Sequence, residues 1–169
     1  MLQLNAAVRV RATTSEKSSK EKKMEETIER LTFPKSERLR HKILVDSLFT
    51  EGKSMYEYPF RLTWRALTEE ELAASFKIGI PEGIAPLQVM ITVPKKKRRH
   101  AIDRVLMRRR IRDAWRLQRR PLRRLIEEHP TLRTLSVALI YISNENIDSS
   151  RLRSKLHRLI TKLSSQLPD

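Results

Sequence analysis

The stretch from Leu87 to Arg124 reads LQVMITVPKKKRRHAIDRVLMRRRIRDAWRLQRRPLRR, and it predicts the centre of the fold. Its first seven residues are mostly apolar and β-branched, which is typical of a buried strand, and Pro94 ends that strand. A basic loop follows over residues 95–100, and a helical pattern then runs from about Asp103 to Gln118. The stretch therefore predicts a buried strand joined by a cationic loop to a cationic helix.

Positive charge is concentrated in this part of the chain. Residues 95–124 contain fifteen Lys and Arg but only two acids, about +13 of the formal net charge of +16. Folding alone gives no reason to crowd like charges together, whereas phosphates that bind such a surface release condensed counterions. We interpret the partner as nucleic acid rather than an anionic membrane, because a helix lying on a membrane needs one broad apolar face.

The predicted basic helix carries two kinds of surface. One is a line of arginines spaced four residues apart, and the other is an apolar stripe beside it. The arginines are Arg104, Arg108, Arg112 and Arg116, and the stripe is Met107, Ile111, Ala114 and Trp115. Arginine suits phosphate because its planar fork bonds bidentately. The residues alone predict contact with a nucleic-acid backbone and leave RNA and DNA both open.

Upstream of this stretch, helical spacing predicts a first helix from Ser36, as N-cap, to Thr50, with Gly52 ending it. Residues 54–58 and 60–65 read as strand segments with an edge or a bulge at Pro59. Residues 66–86 are predicted to be an irregular connection with a solvated acidic turn at residues 69–71. Residues 1–30 are predicted to be a disordered or mis-started N-terminal extension, with Met24 as the alternative start.

Downstream, a second short helical segment is predicted over residues 121–128, a buried strand over 134–143, and a closing amphipathic helix from Ser149 to Ser164. The predicted order is α-β-β-β-α-β-α over about 140 residues. The chain has no Cys, which excludes disulfides and thiolate metal sites and suits a reducing cytoplasm. Its four His show no metal-like spacing, and no apolar run has the length of a membrane span.

Three segments in a fixed order carry a resemblance to a known family. They are Phe33–Leu39, Leu48–Ser54 and the strand, loop and helix over residues 93–117. Together with the last strand and helix, they resemble the protein subunit of bacterial ribonuclease P over about residues 33–163. The helix departs from the family's Arg-Asn-Arg trio: Arg104 matches its first Arg, but Val105 and Leu106 replace the Asn and the second Arg.

The resemblance implies an α+β fold, an α/β sandwich in which helices pack on a central, mostly antiparallel sheet, as in the second domain of a small-subunit ribosomal protein. It also implies a left-handed βαβ crossover around the basic helix, whereas most such units are right-handed. Residues 31–165 would form a single RNA-binding domain.

The resemblance also implies a function. The protein would be the non-catalytic subunit of an endoribonuclease whose RNA holds Mg²⁺ and removes the 5′ leader of precursor tRNA. One protein would bind one ribonuclease P RNA in the cytoplasm, with no membrane partner and with neither a metal site nor a catalytic residue of its own. The RNA contacts would be Lys95, Lys96, Lys97, Arg98, Arg104, Arg108, Arg109, Arg112 and Arg116. The cleft that binds the leader would contain Phe49, Phe60, Arg61 and Trp64.

Three alternatives accompany these expectations. The protein could be a general binder of structured RNA or a ribosome-associated protein without a catalytic partner, or it could be a self-sufficient enzyme. Phe49 and Trp64 could instead be ordinary core residues, because large aromatic side chains are commonly buried.

Overall fold

The structure, a computed structural model, describes residues 32–167, so the extension predicted over residues 1–30 lies outside the described residues. Within these residues four strands form one sheet: β1 Lys53–Glu57, β2 Phe60–Thr68, β3 Leu87–Thr92 and β4 Leu132–Tyr141. Five α-helices of the same range accompany it: α1 Lys42–Glu51, α2 Glu69–Ser75, α3 Ala101–Gln118, α4 Arg120–Glu127 and α5 Ser149–Ser164.

The sheet has the order β1-β2-β4-β3. β1 and β4 both pair with β2 in the antiparallel sense, while β3 pairs with β4 in parallel. Because β3 and β4 are parallel neighbours, the chain between them must cross over the sheet, and α3 and α4 make that crossover. The predicted α+β fold with a mostly antiparallel sheet is confirmed, whereas the hand of the crossover stays a prediction.

Apolar residues bury both faces of the sheet. On one face α3, α4 and α5 pack against alternate residues of all four strands and form the larger core, with Trp115 and Tyr141 among its buried side chains. On the other face α1 and α2 form a smaller core around Leu44, Leu48 and Leu72. This division decides which side chains of the sheet are available to a ligand, because successive strand residues point to opposite faces.

The first helix begins later than predicted. Ser36 is not its N-cap: residues Lys35–Glu37 form a 3₁₀ turn, and α1 begins at Lys42 after His41. The reason is a set of contacts distant in sequence. The Glu37 carboxylate is buried against Arg119, with 2.6 Å between Oε2 and Nε, and the Leu39 amide donates to the carbonyl of Val89 at 3.0 Å. These contacts hold the chain along β3 instead of in a helix.

Gly52 ends α1 as predicted, and the geometry explains why a glycine stands there. Its amide donates to the Leu48 carbonyl at 3.0 Å, and a Cβ at this position would lie 2.1 Å from that same oxygen. β1 then begins at the next residue. Pro59 marks neither an edge nor a bulge; it lies in the hairpin turn between β1 and β2.

The acidic segment at residues 69–71 is the first turn of α2, and the prediction of a solvated turn was wrong. Thr68 and Glu71 form a capping box: Thr68 Oγ1 accepts from the Glu71 amide at 3.3 Å, and Glu71 Oε2 accepts from the Thr68 amide at 2.9 Å. Acids in the first turn also favour a helix, since its N-terminus carries partial positive charge.

Candidate nucleic-acid interface

Helix α3 presents its arginines on the side away from the core. Met107, Ile111, Ala114 and Trp115 are buried, as the apolar stripe predicted. Arg108, Arg109 and Arg112 are exposed, and none of them forms an ion pair with any residue in the range 32–167. Packing of the stripe therefore holds three uncompensated guanidinium groups on one surface.

Two of the predicted contact residues form hydrogen bonds and an ion pair in and around the loop before α3. The Arg104 guanidinium donates to the carbonyls of Arg98 and Arg99, at 3.0 and 2.6 Å. Arg98 in turn donates to the carbonyl of Asn144 and forms a 3.0 Å ion pair with Asp103. Both guanidinium groups thus shape the loop, and their charge is partly committed to it.

Asp103 is the acid at the centre of this loop. Its carboxylate accepts from Asn146 Nδ2 at 2.9 Å as well as pairing with Arg98. The hydrogen bond from Asn146 first, and the charge of Arg98 second, hold the pKa of Asp103 below its usual range. The carboxylate therefore stays ionised and keeps the loop tied to the segment before α5.

The remaining residues predicted to contact RNA also divide into exposed cations and cations that pair within the protein. Lys95, Lys96 and Lys97 form an exposed turn, while Arg116 pairs with Asp113 at 2.9 Å. Arg110, on the same helix, donates to the carbonyl of Ile147 at 2.8 Å. The unpaired cations of this surface are accordingly the lysine turn and the arginines at 108, 109 and 112.

The four residues predicted for the leader-binding cleft do not lie together. Phe60 is 0% exposed and Trp64 is 3% exposed, and both belong to the core beneath α3, α4 and α5. Lys53 also covers Trp64, with Nζ 5.4 Å from the ring centroid. Neither ring is accessible to a base, so placing them in the cleft was wrong and core packing is the correct interpretation of Trp64.

Phe49 and Arg61 lie on the opposite side of the sheet from those two rings. Phe49 on α1 is 50% exposed, so the alternative that it is a core residue was wrong. Arg61 is paired in register with Ile140, two residues from Ala138, which packs in the core beneath α1. Arg61 therefore shares the face of the sheet on which α1 packs.

Tyr56 belongs to this face and was not found from the sequence. It is 61% exposed and lies directly across from Arg61 in the antiparallel pair of β1 and β2. The Arg61 guanidinium carbon is 5.7 Å from the centroid of its ring. The alternation of side chains in β1 indicates that Tyr56 points away from the core into which the neighbouring Met55 points. That alternation placed Tyr56 beside Arg61 only once the pairing register was known.

A family model described as ribonuclease P matches residues 33–164. The chain belongs to the ribonuclease P protein family. It is therefore a protein component of ribonuclease P, an endoribonuclease of tRNA processing that works with an RNA subunit, and the family named from the sequence is confirmed.

Several individual ribonuclease P proteins are similar to this chain at low sequence identity. The ribonuclease P protein components of two Porphyromonas gingivalis strains are each 26% identical over 134 residues, covering 79% of this chain and 88% of the relative. A mutant of the Staphylococcus aureus protein is 14% identical with a TM-score of 0.51, covering 78% and 90%, and shares the fold. The Thermotoga maritima protein is 22% identical with a TM-score of 0.47, covering 75% and 96%.

Within the ribonuclease P fold, the two residues that depart from the expected Arg-Asn-Arg trio differ in exposure. Val105 is 39% exposed, whereas Leu106 is partly buried. Over residues 32–167 no three His, Asp or Glu side chains form a group that could hold a metal ion. No helix in that range is both long enough and apolar enough to cross a bilayer.

Proposed function

We propose that the protein binds the ribonuclease P RNA through α3 and the lysine turn, and binds the 5′ leader of precursor tRNA on the α1 face of the sheet. The observation that carries this proposal is the exposed set Arg108, Arg109 and Arg112, which has no acidic partner within the described part of the chain. In a member of this family, a row of free cations fixed by a packed helix needs a polyanion beside it.

Phosphate fits the α3 surface better than an acidic protein does. A guanidinium fork makes two parallel bonds to a phosphate, and each phosphate that is neutralised releases counterions. The lysine turn adds three flexible point charges at one end of α3. The combination suits a folded RNA, whose backbone presents phosphates along a surface as long as the helix and the loop together.

The α1 face suits a single strand. Phe49 and Tyr56 expose aromatic rings there, and Arg61 lies over the ring of Tyr56. Unpaired bases stack on such rings with little regard to sequence, and each stacked base contributes about 1–3 kcal/mol. A leader of variable sequence requires that kind of contact.

The chemistry is proposed to belong to the RNA subunit. Bound Mg²⁺ supplies charge stabilisation and an activated water for hydrolysis of the phosphodiester, and we assign its ligands to the RNA. The protein's residues bind and orient, with no catalytic group among them. The lysine turn leads into α3, so the exposed cations of the two segments adjoin one another, which supports one protein per RNA. The chain's lack of Cys supports a cytoplasmic location.

Reconstitution tests this proposal. The purified protein and the ribonuclease P RNA of its own source are mixed at low Mg²⁺ and moderate salt, and removal of the leader from precursor tRNA is followed. We expect cleavage that requires both components, and none with protein alone. An RNA that cuts equally well without the protein would overturn the proposal, and equal affinity for an unrelated structured RNA would favour the general binder.

A further inference from the structure

The junction of α3 and α4 carries a groove that none of the proposed contacts uses. It has a volume of about 560 Å³ and is lined by Leu117, Arg120, Pro121, Arg124, Leu125 and Glu128. Leu117 and Leu125 are both more than two-fifths exposed. The volume lies within the range of roughly 300–1,000 Å³ found for small-molecule sites. The groove therefore combines exposed apolar side chains with charged ones.

The arginines of this groove continue the spacing of α3. Arg120 and Arg124 follow Arg116 in the sequence at intervals of four residues. α4 begins two residues after α3 ends, and the residue between them keeps a helical backbone, with φ −70° and ψ −16°. Neither guanidinium forms an ion pair with the residues that the structure describes. The uncompensated cationic surface thus extends past the end of α3 and along α4.

We propose that this α3–α4 groove binds one unstacked nucleotide of the ribonuclease P RNA. The base lies against Leu117, Pro121 and Leu125, since its ring is flat and poorly hydrated, and the phosphate is held by Arg120 and Arg124. This inference rests on the proposed function, because it extends the surface through which α3 binds that RNA.

Two observations decide between possible occupants. The free arginines favour a polyanion over a second protein, and continuity with α3 places the groove on the same RNA. The 5′ leader of precursor tRNA is not the proposed occupant, because α4 packs on the face of the sheet opposite to Phe49 and Tyr56. Glu128, the acid among the lining residues, repels phosphate, so we place the phosphate toward Arg120 and away from that carboxylate.

A single introduced cysteine gives a direct test, since the chain has none of its own. Leu125→Cys is labelled with a photoactivatable cross-linker in the reconstituted holoenzyme, and Ser154→Cys, exposed on α5, is the matched control. We expect a cross-link from position 125 to the ribonuclease P RNA and little from position 154. Equal cross-linking at both positions, or a cross-link from position 125 only to precursor tRNA, would overturn the assignment.

A second measurement needs no label and leaves the apolar side chains of the groove intact. The double variant Arg120→Gln/Arg124→Gln should reduce the slope of log affinity against log salt by roughly 0.7–0.9, the value for one phosphate contact, while Arg158→Gln on α5 leaves the slope unchanged. Equal slopes for the wild type and the double variant would overturn the inference while leaving the proposed function standing. Failure of the wild-type protein to bind or assist the RNA would instead sink the proposed function.

Discussion

The buried carboxylate of Glu37 joins the segment before α1 to the junction of α3 and α4. It is 2% exposed and reaches both Arg119, at 2.6 Å, and Arg123, at 3.0 Å. Arg119 is itself buried, so removing the charge of Glu37 breaks a buried ion pair, which costs about 3–5 kcal/mol. We expect Glu37→Gln to lower the free energy of unfolding by about that amount in urea titrations.

The control for this prediction is an exposed pair of the same chemistry. Glu51 and Arg65 lie 2.6 Å apart, but the side chain of Glu51 is 60% exposed. Such surface pairs contribute about 0–1 kcal/mol, so Glu51→Gln should change the stability little. Equal small losses for both variants would show that Glu37 is not the connection the structure indicates.

Glu57 gives a prediction about pH. Hydrogen bonds from Lys162 and then Lys155 hold the pKa of its carboxyl below the usual value. A lowered pKa in the folded state means that the stabilisation is complete above the ordinary Glu pKa, about 4.3, and is lost as the pH falls through the folded value. The stability difference between wild type and Glu57→Gln should be constant from pH 7 to 5 and shrink below pH 4. A difference that stays constant down to pH 3 would contradict the assignment.

At the scale of single elements, replacing arginines of α3 should change the stability of the protein and its affinity for RNA in opposite directions. Arg108 and Arg112 are like charges four residues apart on one helix, which destabilises it by a few tenths of a kcal/mol. The variant Arg108→Ala/Arg112→Ala should therefore melt at the same temperature as the wild type or slightly higher. Its RNA affinity should fall, and the salt slope should drop by up to about 0.9 for each phosphate of duplex-like RNA that the variant no longer neutralises.

The control for α3 is Arg158→Ala, which removes an exposed arginine from α5. It should leave the salt slope of RNA binding where it was. If Arg108→Ala/Arg112→Ala has the same slope as the wild type, the α3 surface does not touch the RNA.

The elements differ in how far the sequence predicts them. Strand β3 and helix α3 follow from local pattern, because a β-branched run and a four-residue apolar spacing are written within single segments. Helix α2 was predicted as an irregular connection, although Thr68 and Glu71 have the spacing of a capping box and could have indicated a helix. The start of α1 was not, because the contact of Glu37 with Arg119 spans more than eighty residues and competes with a local cap at Ser36.

The candidate site shows the same division between local and distant information. The exposed arginines of α3 follow from helical spacing on one segment. Which face of the sheet receives Phe60, Arg61 and Tyr56 depends on how β1, β2 and β4 pair and on which helices cover each face. A shift of one residue in register exchanges the two faces, so residue type alone misplaced Phe60 and Trp64.

At the scale of the whole molecule, the sheet separates the two surfaces that are proposed to bind RNA. α3 and α4 present free arginines on one side, and α1 with the outer residues of β1 and β2 presents aromatic rings on the other. A sheet with packed layers on both faces keeps the two surfaces apart, so the proposed function would let one protein hold two strands of RNA at the same time. This geometry makes the two proposed contacts separable by mutation.

Tyr56→Ala tests that separation in the reconstituted holoenzyme. The preference for precursor tRNA with a leader over leaderless tRNA should fall by about 1–3 kcal/mol, the contribution of one stacked base, while affinity for the ribonuclease P RNA stays unchanged. Arg108→Ala/Arg112→Ala should do the reverse, and Ile78→Ala, which truncates a fully exposed side chain in the loop after α2, should do neither. Loss of RNA affinity in Tyr56→Ala equal to that of the arginine variant would show that the α1 face belongs to the same RNA contact and that the leader binds elsewhere.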